Sequence, residues 1–393
     1  MVVASASFAQ ESATVLPQKI VRGRVVTIFA PGVTEQYNNN GTKESLVAAY
    51  NGKQINLADA APALAGALTT YGAGAVVPLL NSTFSASANI NVQQYITAFE
   101  YGLTPKLSLG VIVPVVKFES NASVTASNGY AQAQAAIDSS ALNGSDVETG
   151  MTEYMRQTTL SGLGYSEPGK TNFTALGDIE LGGKYQFYKT EKLLMSWQAG
   201  TRMPTTTHTA TQANLFDRDI ADGQWDLAAQ WMGDYFLNSN LFVSGSAKLT
   251  WQLADKVDRY VRANKSDLLP DLTNTSLRDS NISRDLGEVF DGEVSANYQF
   301  GDKQFKTWGI YQYQAQAQDV YRGTKNLSYS SLETGTNSIS HRVVAGFGFT
   351  TIPMFQKKQF AIPMDFKLSY SFPVAGKNVS NSKYSRMDVV AYF

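Results

Sequence analysis

Nucleophilic, redox and metal chemistry draw mainly on Cys, His and clustered carboxylates, and this chain is poor in the first two. Its 393 residues include no Cys and two His. Disulfide frameworks, thiolate zinc sites and Cys nucleophiles are excluded, and a multi-His metal centre is not expected. Ser340 and His341 are adjacent. Neighbouring residues of a strand point to opposite faces, however, so Ser340 has no base within reach, and Ser338 has the wrong parity as well. His208 lies in a Thr-rich run, HTATQ, with no evident partner. No phosphate-binding glycine loop, metal cluster or calcium loop is present. We therefore expect neither an enzyme nor a cofactor.

Charge at alternate positions is the chemistry that remains. Asp178, Glu180 and Lys184 share one parity, as do Asp226, Gln230 and Asp234, and Asp291 and Glu293. Lys248, Gln314, Asp365 and Lys367 stand on the polar faces of similar segments, and Arg202, Arg342 and Arg386 have matching parity on theirs. Such faces need an enclosed polar space. Two arrangements fit. Opposed acidic and basic walls would set a transverse field that orients small solutes. Alternatively, the charges pair across the space and close it as a hydrogen-bonded core.

The elements carrying these residues read as long strands. Trp225, Leu227, Ala229, Trp231 and Tyr235 oppose Gln224, Asp226, Gln230 and Asp234. The same period of two recurs at 84–93, 107–115, 179–187, 193–199, 241–251, 290–300, 305–318, 339–349, 360–372 and 387–393, with a first strand near 21–29. That makes about twelve strands of roughly ten residues or more, long enough to cross a bilayer when tilted and longer than the strands of most soluble sandwiches. On the recurring segments the apolar face would meet lipid.

Link lengths alternate. Short links lie at 103–105, 189–191, 238–240, 301–303 and 354–358, and long ones near 31–81, 119–176, 205–222, 254–284, 322–335 and 374–384. This predicts an all-β, transmembrane, antiparallel up-and-down barrel of about twelve strands, with short periplasmic turns and long extracellular loops. An even strand number puts both termini on the turn side. Pro114 and Pro363 fall inside strand patterns and should mark bulges or edges. Short helices are expected near 57–70 and 131–142, within loops that either form an apolar vestibule or pack as a lid. Residues 1–9, ending in Ser7-Phe8-Ala9, resemble the end of a signal peptide, leaving residues 10–393 as one barrel domain. The final strand ends on Phe393, which resembles the signal read by the outer-membrane barrel assembly machinery. Lys plus Arg is 32 and Asp plus Glu 33, a net charge of -1 that argues against nucleic acid.

Two segments, Tyr101-Gly102-Leu103-Thr104-Pro105-Lys106-Leu107-Ser108-Leu109-Gly110 and Leu176-Gly177-Asp178-Ile179-Glu180-Leu181-Gly182-Gly183-Lys184-Tyr185, resemble hairpins of the outer-membrane proteins named for the meta pathway of phenol degradation. That group is similar in style to the fatty-acid and aromatic-hydrocarbon channels of Gram-negative outer membranes. The resemblance implies a monomeric channel for passive uptake of small molecules, hydrophobic or aromatic. The alternative is a non-conducting barrel with a structural or surface-interaction role. Its partners would be outer-membrane lipid, the solute and, during insertion, the assembly machinery. The expected lumen residues are Asp178, Glu180, Lys184, Arg202, Asp226, Gln230, Lys248, Asp291, Glu293, Gln314, Arg342, Asp365 and Lys367. In the fatty-acid channels an amino-terminal plug fills the lumen and a strand kink opens a sideways exit. Only about ten residues separate Gln10 from the first strand, so a comparable plug is not expected here.

Overall fold

The computed structural model describes residues 12–393 apart from 50, 53, 57–65, 67, 68, 71–73, 75, 76, 78–80, 128–133, 136, 137, 139–159, 266 and 268. The signal segment and nearly all of the two expected loop helices lie outside the described residues. Twelve strands close into one antiparallel ring. They are β1 (Val21–Val33), β2 (Asn81–Thr104), β3 (Leu107–Ser127), β4 (Ile179–Lys189), β5 (Leu193–Met203) and β6 (Asp226–Phe236). The ring continues with β7 (Leu241–Gln252), β8 (Val289–Phe300), β9 (Phe305–Gln316), β10 (Ser338–Thr350), β11 (Met364–Lys377) and β12 (Tyr384–Tyr392). Each strand pairs with its sequence neighbour. The ring closes where β1 pairs with β12 over Arg22↔Tyr392 to Phe29↔Ser385. The seam is finished by reciprocal bonds between Val21 and Phe393, each 2.9 Å. Closure leaves no unpaired edge, which lipid would make very costly.

The chain exposes its large apolar side chains and buries its polar ones, the inverse of a soluble core. Trp197 is 53% exposed and Leu368 60%, whereas Ser196 is 0% exposed and Asp226 1%. Trp225 and Leu227 also face outward. Along β9 and β10 the outward face carries a cluster of Phe305, Phe347 and Phe349, joined by Phe300 of β8. No described helix is long and apolar enough to cross a membrane.

Tight turns close one end. The β8–β9 turn runs through Gly301, Asp302 and Lys303, all with positive φ (58°, 52° and 65°), a conformation in which only Gly is unstrained. The β10–β11 link is longer than expected. It spans 351–363 and holds a short helix, Ile352–Gln356. Phe360, Ile362 and Pro363 therefore belong to this link and not to β11. Pro363 accepts from Tyr392 N–H at 3.1 Å.

At the other end two expectations need correction. β3 continues to Ser127, and a further strand, Lys170–Leu176, pairs with Val115–Asn121, so the expected 119–176 loop is partly sheet. On β2, Ala86, Ala88, Ile90 and Val92 point inward, while Ser85, Ser87 and Asn89 face out. Parity is unbroken along the strand. What changes is the outward set, from Ser and Asn to Tyr95, Phe99, Tyr101 and Leu103. The same change occurs on β3, where an exposed Lys117–Glu119 pair (2.9 Å) follows Leu109 on the outer face. These strands thus leave lipid for water partway along, and above that level their greasy face can be buried only inside. The loops add two small sheets. One joins Asp255–Tyr260, Arg278–Asp285 and Val320–Arg322, and the other joins Glu35–Tyr37, Lys43–Ser45 and Val379–Ser380.

Candidate permeation pathway

The lumen has two unlike walls. On β1–β3 many inward residues are apolar and buried, Val26 and Ile28, then Ile90, Val92 and Ile96, then Ile112, Val116 and Phe118, with Gln94 and Ser120 among them and Arg22, Arg24, Glu100 and Ser108 towards the turns. On β4–β12 they are largely polar. The expected lumen residues all have inward parity, and most of their charges are tied to groups on neighbouring strands instead of across the lumen. Arg202 bridges Glu180 (3.1 Å) and Asp226 (3.0 Å). Lys248 stands opposite Asp291 in register, and Asp291 accepts from Gln314 at 2.8 Å. Glu293 accepts from Gln312 at 3.0 Å. Asp178 accepts the backbone N–H groups of Thr205 and Thr206, both at 3.0 Å. Gln230 is buried beside this network. Arg342 lies under the outer loops, donating to Ser371 Oγ and Ser382 O and stacking on Tyr384. It does not share a site with Asp291. Asp365 accepts from the Tyr392 hydroxyl at 2.8 Å, and Lys184 donates to Ser12 O at 3.3 Å. Among the described residues neither Lys248 nor Lys367 makes an ion pair within 4 Å; Lys248 stands beside Asp291, whereas Lys367 faces no carboxylate across its own strand pair with Gly348.

A cavity of ≈ 410 Å³ lies in the outer half of the lumen, between Pro114, Val116 and Ile220 on one side and Arg202, Lys248 and Asp291 on the other. Its roof is the β5–β6 loop, folded inward. Ile220 packs against Val33, Ile90, Val92, Val116 and Phe118. Phe216 packs against Val47, Ala86, Ala88 and Ala122. The loop is pinned by the Thr205 and Thr206 contacts to Asp178, by Ala210 N–H to Asp219 (2.7 Å), and by His208 Nε2 to Asp217 (2.9 Å). The His208 ring stacks on Phe173 at 3.6 Å. His208 therefore has the partner that sequence alone did not reveal, because its carboxylate comes from a bend in the same loop.

At the turn-side end the amino-terminal segment docks inside the lumen. Asp234 accepts from Ser12 Oγ (2.5 Å) and Ala13 N–H (2.9 Å), Gln186 donates to Ala13 O (3.0 Å), and Leu16 N–H donates to Ser108 (2.9 Å). Ala13 packs with Leu194 and Met232. Residues 12–16 thus lie along the inner wall at this end, held by side chains of β3, β4 and β6. Asp234, Ser108 and Gln186, polar inward residues of β6, β3 and β4, supply the partners of its backbone.

Pro114 interrupts the β3 ladder with a one-residue shift, since Ile112 pairs with Glu180 but Val115 with Leu176. Gly177 N–H still bonds Pro114 O at 2.9 Å. Ser340 faces inward while His341 faces out, where its Nδ1 bonds the Tyr311 hydroxyl at 2.6 Å, so the two form no catalytic pair.

No protein-family model and no curated protein matches this chain. Among solved structures it is similar to an outer membrane channel from Pseudomonas putida F1, with 11% identity and a TM-score of 0.53 over 97% of this chain and 98% of that one. The fold is that of an outer-membrane channel barrel. It is also similar to the Ralstonia pickettii toluene transporter TbuX, at 11% identity and TM-score 0.36 over 96% of this chain and 89% of that one. A Pseudomonas aeruginosa FadL homologue gives 10% identity and TM-score 0.35 over 95% and 90%.

Proposed function

We propose that this protein is a channel of the Gram-negative outer membrane that passively admits small molecules with an apolar body, aromatic ones included. The observation that carries the reading is the apolar stripe of β1–β3, which runs inside the lumen beneath an inward-folded loop. A polar pore gives a hydrophobic solute nothing to bind. Here, burying about 150 Å² of an aromatic solute on the stripe is worth roughly 4 kcal/mol. Phe216 and Ile220 already occupy the stripe as a solute would. A hydrophobic solute can replace them contact for contact, whereas a sugar or ion would leave the stripe bare. The lid therefore selects by polarity.

The test is uptake of radiolabelled toluene by cells with a lipopolysaccharide-covered outer membrane, with and without the protein. Faster uptake with the protein, slowed again by Val116→Asp, is expected. Equal uptake in all three strains refutes the proposal. The folded loop and the docked amino-terminal segment, both inside the lumen, favour a second reading, a barrel that passes nothing. That reading predicts equal toluene uptake together with no ion conductance in planar bilayers.

A further inference from the structure

We propose that the turn-side end of the lumen holds an anion site, built from Lys306, Lys367 and the indole N–H of Trp308, that takes the carboxylate of a small organic acid. The transport reading places this site on a route, but the site itself stands on separate observations.

Lys306 of β9 pairs with Gly348 of β10, which pairs with Lys367 of β11. All three have inward parity. Their backbones span two strand spacings, about 10 Å, within reach of two lysine side chains converging on one ligand. Over Gly348, between them, lie the Cζ3 edge of the Trp308 ring and the Cγ of Lys367. Most other inward cations at this end are satisfied. Arg22 pairs with Glu100, Arg24 and Arg386 share Asp388, and Lys184 donates to Ser12 O. Lys306 and Lys367 make no ion pair with any described residue. Asp234 and Asp365 face Lys306, and Asp365 and Asp388 face Lys367, all beyond ion-pair distance. Each of those carboxylates is engaged elsewhere: Asp234 by the amino-terminal segment, Asp365 by Tyr392, Asp388 by two arginines. Lys306 instead sits over the rings of Phe242 (5.0 Å) and Trp308 (5.5 Å).

Trp308 supplies the independent sign. It is 4% exposed, and its Nε1 has no hydrogen-bond partner among the described residues. A buried donor left unpaired is costly and calls for an acceptor. The indole lies across Gly346 and Gly348 with its Nε1 edge over Gly346 and its Cζ3 edge towards Gly348, and a Cβ at Gly346 would overlap the ring. The glycines thus seat the ring flat on the wall. Two ammonium groups and one N–H donor ask for an anionic oxygen ligand. The Phe242 and Trp308 faces beside them offer a flat apolar surface to the rest of the molecule.

The experiment is titration of the purified, detergent-solubilised full chain with sodium benzoate, benzyl alcohol and inorganic phosphate, read by calorimetry and tryptophan fluorescence. Benzoate should bind saturably and at least tenfold more tightly than benzyl alcohol. Lys306→Met and Lys367→Met should each weaken benzoate at least tenfold, Lys367→Arg should restore it, and Trp308→Phe should abolish the fluorescence change. The folded state of each variant is checked by its heat-dependent gel mobility. Benzoate affinity unchanged in folded Lys→Met variants overturns the site. So does benzyl alcohol binding as tightly as benzoate. Phosphate binding at least as tightly as benzoate overturns the organic-acid assignment. Because binding is measured without transport, failure here leaves the uptake proposal standing, and failed uptake leaves this site standing.

Discussion

Removing the Asp234 carboxylate should release the amino-terminal segment from the lumen. Asp234 is 1% exposed and its Oδ2 accepts two hydrogen bonds from the segment, from Ser12 Oγ and Ala13 N–H. Hydrogen bonds to a charged group contribute about 1.5 kcal/mol or more each, so Asp234→Ala should weaken docking by about 3 kcal/mol. At about 1.4 kcal/mol per factor of ten, the undocked population should rise about 10²-fold. The chain has no Cys, so a single introduced thiol reports without background. Val15 is buried by docking and close to Cys in size, which makes Val15→Cys the reporter. The rate of maleimide labelling at position 15 measures how often the segment leaves. Labelling should be about 10²-fold faster with Asp234→Ala, while Asp234→Asn, which keeps an acceptor but loses the charge, should fall between. Equal rates in all three proteins would show that the segment is not held by Asp234.

Three other outcomes follow from the same geometry. Gly346→Ala should destabilise the barrel by about 1–3 kcal/mol, because the indole of Trp308 has to leave its seat, and a lower temperature for loss of the compact gel band would show it. Val294, 58% exposed on the outer face, should tolerate Leu but lose about 2–4 kcal/mol as Arg near the bilayer midplane, measured by refolding equilibria in lipid. The third concerns pH. Asp279, in the outer-loop sheet, is held down to about 2 by the Tyr329 hydroxyl and the backbone N–H groups of Thr324 and Asn281. Its folded pKa lies below the unfolded value, near 3.9. Its contribution is therefore complete above pH ~4 and lost as pH falls towards ~2. Loop hydrogen exchange should quicken across that window, and Tyr329→Phe should narrow it.

Periodicity established the strands because a bilayer and a wet lumen impose opposite demands on successive residues, and residues such as Trp225, Asp226 and Leu227 meet those demands in turn. Alternation names two faces without saying which one is outside. On β6 the apolar face meets lipid. On the outer part of β2, Ile90 and Val92 turn inward, because water surrounds that level and only the lumen is dry. The docked amino-terminal segment and the lid were not legible for a related reason. Residues 12–16 carry no motif, and their place depends on Asp234, more than two hundred residues away. The His208–Asp217 pair was hidden by a loop fold that no period encodes.

The sequence by itself determined the class of molecule: long strands, alternate short and long links and a closed count, all fixed by local spacing and by what lipid tolerates. Tertiary structure decided which charges pair, which lysines stay unpaired and what docks inside each end. Those outcomes depend on the register between distant strands, and a one-residue shift in register would turn every inward group outward.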